Sequence, residues 1–169
     1  MSQTANWTID KSRSYVRFAV KHLMFFTVNG EFKDFSGELA ANDGGVLSSV
    51  TGVVPIVSVD TQSADRDEYL RTQELFEPKT YPEMRFRSTD IQVNGSKAVV
   101  KGDLTIKTET RPVTLEGSFS LSGNRATYAL KTAITRSYFK LEFGPIAQKV
   151  GAVGDDVKLD LKLEMVKEG

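Results

Sequence analysis

Val157-Lys158-Leu159-Asp160-Leu161-Lys162-Leu163-Glu164-Met165 alternates apolar and charged residues without interruption. Successive side chains of a β-strand point to opposite faces, so this stretch has one dry face and one wet face. A helix would scatter the same leucines around its axis and leave no apolar stripe. Working outward from it, the same period of two recurs along the chain. Val16, Phe18 and Val20 alternate with Tyr15, Arg17 and Ala19. Val100, Leu104 and Ile106 alternate with Lys101, Asp103, Thr105 and Lys107. Val113, Leu115, Phe119 and Leu121 alternate with Thr114, Glu116, Ser118 and Ser120, and Tyr128, Leu130 and Ile134 share a face. Strands with one wet and one dry face belong to antiparallel sheets.

Turn signals separate these runs: Asn42-Asp43-Gly44-Gly45, Asn94-Gly95, Thr108 to Thr110, and Ser122-Gly123-Asn124. Asn-Gly between alternating segments is a strong hairpin signal, because both residues tolerate positive φ. Consecutive hairpins make a meander, and curling a meander into a barrel removes its exposed edges. The expected fold is therefore all-β: an antiparallel barrel, with 1–169 as a single domain. Two segments depart from the pattern. Val50 to Val59 carries apolar residues on both faces, which predicts a strand covered on its outer side by a helix or a second subunit. Asp65 to Phe76 reads as the one main helix, with Asp65 as cap, Glu68 three residues on, and Pro78 and Pro82 to end it.

Composition narrows the function. The 169 residues hold 22 Lys plus Arg against 22 Asp plus Glu, so the net charge is zero and a nucleic-acid interface is not indicated. Cysteine is absent, which excludes disulfides and thiol chemistry. No stretch approaches the ~18 apolar residues of a membrane helix. Met1 to Trp7 has neither the basic start nor the apolar run of a leader, so a cytoplasmic location is expected, or a periplasmic one if a leader was removed.

Catalytic and metal chemistry find little to build on. His22 is the sole histidine, no Gly-x-Ser-x-Gly elbow is present, and no cluster of His and Cys could hold a transition metal. Asp155 and Asp156 are adjacent and point to opposite sides of a strand, the pattern of a solvated strand start rather than a cation site. Gly151 to Gly154 lacks the Lys-Ser/Thr ending of a phosphate loop. No cofactor is expected. His22 reads equally as a strand-end residue or a polar group at a barrel mouth. Arg66-Asp67 reads as a helix-surface pair or a rim contact. The dry face also holds Gly102, Gly117 and Ser88, small residues that can leave space. A barrel of this size is wide enough for its own side chains or for one small ligand. The residues alone favour a filled core, with the glycines at bends.

Several spaced blocks together resemble the YceI-like family. They begin with Trp7-Thr8-Ile9-Asp10 and then Ser14, Val16, Phe18, Val20 and His22 at alternate positions. They continue through Gly30, Phe32, Phe35 and Gly37. Next come Thr61, Arg66-Asp67, Leu70, Leu75-Phe76, Tyr81-Pro82, Phe86 and Ser88. Gly102, Leu104-Thr105-Ile106, Arg111-Pro112-Val113, Leu115, Arg136, Phe143-Gly144 and Val153-Gly154-Asp155 complete the match. The family usually has His-Ser where this chain has Arg13-Ser14, and the stretch from Arg136 to Phe143 also departs from its pattern.

The resemblance implies an extended, eight-stranded lipocalin-like barrel whose interior is a tunnel for a polyisoprenoid, an isoprenoid quinone or a similar long-chain lipid, used in transport or storage. It also implies a binding protein rather than an enzyme, and a homodimer, to which the two-faced segment Val50–Val59 points as well. The candidate lining is Phe18, Val20, Met84, Phe86, Leu104, Ile106, Leu115, Phe119, Tyr128, Leu130, Ile134, Leu159, Leu161 and Leu163. His22, Arg66, Asp67 and Arg136 are the polar candidates for the rim. The rival readings are a lipid-modifying enzyme using His22 and a solid-core interaction module.

Overall fold

The computed structural model describes residues 6–22, 26–70, 81–139 and 153–168. The strands are β1 (Trp7–Ile9), β2 (Tyr15–His22), β3 (Phe26–Phe32), β4 (Ser36–Ala41), β5 (Leu47–Pro55) and β6 (Val59–Asp60), then β7 (Glu83–Asn94), β8 (Lys97–Ile106), β9 (Glu109–Ser122), β10 (Arg125–Thr135) and β11 (Val153–Lys167). All join one antiparallel sheet in the order β4-β5-β7-β8-β9-β10-β11-β2-β3-β6, with β1 added on β11. The sheet curls around an apolar interior. Its strands number eleven rather than eight: nine longer ones, with the short β6 at one edge and the short β1 on β11. Among the described residues no ladder joins β4 to β6, so the curl is not closed by strand pairing there.

β11 is the hub of this arrangement. It pairs with β10 over its whole inner length, from Val157↔Ile134 to Met165↔Ala126. On its other side it pairs first with β2, up to Lys162↔Tyr15, and then with β1, from Met165↔Ile9 onward. Between those two partners its edge would be bare at Glu164. Ser14 fills the gap: its hydroxyl accepts from the Glu164 N–H at 2.9 Å and donates to the Asp10 carbonyl at 2.8 Å. The Asp10 N–H in turn donates to the Glu164 carbonyl at 2.8 Å. Arg125 spans the Asp10 and Glu164 carboxylates on the same spot. Hydrogen bonds, first to the Ser12 hydroxyl and then to Arg125, hold the Asp10 carboxyl below the ordinary carboxylate value.

The turns fall at the residues whose chemistry demands them. Gly95 and Gly123 take positive φ in the β7–β8 and β9–β10 hairpins. In the β4–β5 turn Gly45 does the same, while Asn42 Oδ1 accepts from the N–H groups of Gly44 and Val46, both at 3.0 Å.

Two expectations change here. Val50–Val59 is not one strand. Its backbone turns at Pro55 into a 3₁₀ turn over Ile56–Ser58, held by the Ile56 N–H donating to the Pro82 carbonyl at 2.9 Å. The change of direction buries Ile56 and Val59 and leaves Val57 59% exposed. The two-faced pattern is thus the trace of a bend, and it gives no reason for a second subunit. The helix, α1, spans Ala64–Leu70. It starts one residue before Asp65, with the Asp67 N–H donating to the Ser63 carbonyl at 2.9 Å. Asp65 therefore sits inside the first turn beside Asp67, where negative charge also suits the helix dipole. Residues 71–76 of the expected helix lie outside the described residues.

Candidate functional site

The interior holds an apolar cavity of about 270 Å³. Alternation aims one face of each long strand at it. Val16, Phe18 and Val20 come from β2, and Val157, Leu159, Leu161 and Leu163 from β11. Met84 and Phe86 come from β7, with Val100, Leu104 and Ile106 from β8, Val113 and Leu115 from β9, and Leu130 and Ile134 from β10. Val50, Gly52 and Val54 of β5 and Phe32 of β3 complete the wall. The polar members of the lining are few. Among them, Arg136 stands where β10 ends, and Arg85 is paired with Glu83 at 2.7 Å.

The cavity is open because two aromatic rings lie flat over glycines of neighbouring strands. Gly30 is the cross-strand partner of Phe18, and a Cβ there would stand 2.7 Å from Phe18 Cε1 and 2.9 Å from Thr61 Cγ2. At Gly102 a Cβ would run into the Arg87 carbonyl and also stand 2.7 Å from Phe86 Cε2, so strand packing and the ring both call for glycine there. Glycine thus lets each ring rest against the wall instead of standing in the lumen. Of the other small residues expected to leave space, Gly117 lies where β9 presses on β10. A Cβ there would run into the Ala129 carbonyl, so this glycine serves strand packing. The Ser88 hydroxyl accepts from the Val50 N–H at 2.9 Å and so belongs to the wall.

One end of the lumen is plugged. Trp7, Ala41, Ala98, Ala126, Tyr128 and Met165 are all buried there beyond the lining residues. Phe119 and Tyr128, both expected in the lining, belong to this plug, with their rings 5.0 Å apart. The reason is depth: both face inward, but Tyr128 lies two residues closer to the β9–β10 turn than Leu130, and Phe119 four residues closer than Leu115. The Tyr128 hydroxyl donates to the Gly45 carbonyl at 2.8 Å and accepts from the Leu47 N–H at 2.9 Å. Burial pushes its pKa above the ordinary tyrosine value. Trp7 Nε1 donates to the Asn42 carbonyl at 2.8 Å, tying β1 to the same turn.

The expected rim residues fall in different places. Asp67 is buried but does not line the cavity. Its carboxylate accepts from the Thr61 N–H at 2.9 Å and from the Thr61 hydroxyl, which pins α1 to the end of β6. Arg66 lies in α1, and His22 ends β2 with its backbone paired to Val153 and Phe26. The side chains of both lie outside the described residues. Asp155 accepts from the Ser137 N–H and hydroxyl, both at 2.9 Å, and so braces the end of β10. Among the described residues there is no group of three or more His, Cys, Asp or Glu placed to hold a metal, and no helix long and apolar enough to cross a membrane.

Several lining residues escaped the sequence reading. Val16, Val113 and Val157 share faces with Phe18, Leu115 and Leu159, so their period of two already placed them. Val50 and Val54 were hidden by the bend at Pro55. Phe32, Phe35 and Ile9 sit in short strands or connections where alternation is too brief to read.

Comparison with known proteins matches this architecture throughout. The model of the YceI-like domain matches residues 7–165. A UPF0312 protein of Photorhabdus laumondii is 34% identical over 156 residues, 86% of this chain and 81% of that protein. Protein YceI of Escherichia coli O157:H7 is 32% identical over 160 residues, 88% of this chain and 84% of that protein. Among solved structures, BcnA of Burkholderia cenocepacia superposes with a TM-score of 0.83 at 26% identity, covering 93% of this chain and 99% of that one. A polyisoprenoid binding domain from Saccharophagus degradans shares the fold, with a TM-score of 0.74 at 16% identity over 97% of this chain and 99% of that one. With most of its length matched, and its strands in the same arrangement, this chain belongs to the YceI-like family.

Proposed function

We propose that this protein takes one long apolar chain, of the polyisoprenoid or isoprenoid-quinone type, into its lumen for transport or storage, and that it acts by binding rather than by catalysis. The observation that carries this reading is the apolar cavity of about 270 Å³, lined from strands all around the curled sheet. The domain of similar fold described as polyisoprenoid binding supports the choice of ligand. Burial stabilises a hydrocarbon by about 0.8 kcal/mol per CH₂, so each five-carbon unit contributes several kcal/mol relative to water. A bilayer provides the same burial. Exchange between membrane and lumen is then close to neutral, which suits a carrier that must both load and release.

The test is organic extraction of protein purified without detergent, followed by mass spectrometry. A long-chain prenyl lipid in roughly equal molar amount with the protein is expected. A stripped protein that takes up no fluorescent prenyl probe, from a preparation yielding no lipid, would leave the solid-core reading standing. Incubation with the recovered lipid separates carrier from enzyme. A chemical change in the lipid that disappears in His22→Ala would assign catalysis to His22.

A further inference from the structure

We propose that Tyr128, packed directly behind the last layer of lining residues, fixes the floor of the lumen and so sets the length of chain that the protein accepts. The inference rests on the lipid reading above and adds a specificity-determining residue to it. The lining ends at a definite layer: Leu47, Val100, Leu115 and Leu130 face the cavity, and Tyr128 packs in the same cluster directly behind them. Tyr128 is 0% exposed, so it is packed on every side.

Its immobility distinguishes it from the rest of the lumen. The aliphatic layer of Leu47, Val100, Leu115 and Leu130 could shift rotamer to admit another carbon unit if nothing rigid stood behind it. The Tyr128 ring is held at its outer end by two hydrogen bonds to the β4–β5 turn, and Phe119 backs it from the side. The turn is itself fixed by Asn42, which binds two of its N–H groups and receives Trp7 Nε1 on its carbonyl. Moving the ring would strand a buried N–H and a buried C=O without partners, a cost that an extra prenyl unit must overcome. The plug is therefore a rigid stop, and the chain fills the lumen from that stop outward.

The experiment is displacement of a bound fluorescent prenyl probe by linear prenols that lengthen one isoprene unit at a time. For the wild type, affinity should rise by roughly tenfold or more per unit while units are buried. It should then level off once the lumen is full. Tyr128→Phe keeps the ring but removes both tethers, and should blur the plateau toward longer chains, with lower stability. Tyr128→Ala removes the stop and should move the plateau to chains at least one unit longer. Leu115→Phe raises the floor with Tyr128 in place and should shorten the plateau by about one unit. This variant decides the matter alone if Tyr128→Ala does not fold. A wild type that binds no prenol of any length overturns the lipid reading itself. A wild type that binds, with affinity climbing without a plateau, overturns the floor. So does an unchanged plateau in folded Tyr128→Ala or Leu115→Phe.

Discussion

Gly30→Ala tests whether a bare wall at Gly30 is what keeps the lumen open. The backbone at Gly30 is not in the positive-φ region, so alanine fits its local conformation. On that ground alone the change should stabilise the strand by about 0.5–1 kcal/mol. The packing opposes it. Carbon atoms rest at about 3.5–4.0 Å, while the new Cβ would stand 2.7 Å from Phe18 Cε1 and 2.9 Å from Thr61 Cγ2. Phe18 Cζ lies closer still, so the ring must retreat by more than about 1 Å to reach that contact distance. Gly30 closes the wall behind it and Phe32 stands 5.5 Å to one side, so the open direction is the lumen. Overpacking of this kind costs about 1–3 kcal/mol, which outweighs the backbone gain. Urea unfolding followed by the single tryptophan, Trp7, should show a net loss of about 1–2 kcal/mol with m unchanged. Probe uptake should fall as well. In a Phe18→Leu background the same Gly30→Ala change should become neutral or stabilising, with a coupling of about 0.5–3 kcal/mol in the double-mutant cycle. If Gly30→Ala stabilises the protein with Phe18 intact, the wall argument fails.

Further outcomes follow from other parts of the structure. Leu104→Asp places a charge in the apolar lumen and should reduce lipid uptake by more than about a hundredfold, several kcal/mol being the cost of an unpaired buried charge. Lys101→Asp, on the exposed face of the same strand, should leave uptake at the wild-type level and so controls for charge. Ser14→Ala should cost about 1–3 kcal/mol in urea unfolding, since it leaves the Glu164 N–H without its acceptor where β11 changes partners. A loss below measurement error would mean that water replaces the hydroxyl. Asp10 is held below its ordinary value of 3.8, first by the Ser12 hydroxyl and then by Arg125. The stability it contributes is therefore fully present above that value and is lost as the pH falls through the lowered one. Ser12→Ala should make the protein less sensitive to acid over that interval, seen as a shallower fall of the urea midpoint. An unchanged acid limb would remove Asp10 from the account.

How far the sequence reached is clearest at pairs of similar residues. Leu130 and Tyr128 stand two positions apart on one face of one strand, and alternation puts both inward. Only the assembled barrel makes one a lining residue and the other part of the plug. Depth along a barrel axis depends on how each strand is staggered against its neighbours, and that stagger is summed around the whole sheet. Gly30 and Gly117 are likewise the same residue in similar strands. One lies under an aromatic ring, and the other lets two backbones press together. Asp67 read, beside Arg66, as a helix-surface or rim charge, because charged residues on a helix usually meet solvent. Its partner is Thr61, and only the packing of α1 against β6 brings them together.

The sequence by itself determined the antiparallel character of the long alternating strands, the turns between them and the inward-facing side chains of those strands, because side-chain direction and turn conformation are local properties of the backbone. It could not determine whether that inward set fills its barrel or encloses a lumen. Both arrangements use the same alternation of the same apolar residues. The difference lies in curvature, stagger and the resting place of rings such as Phe18 and Phe86, each fixed by contacts between strands far apart in the chain.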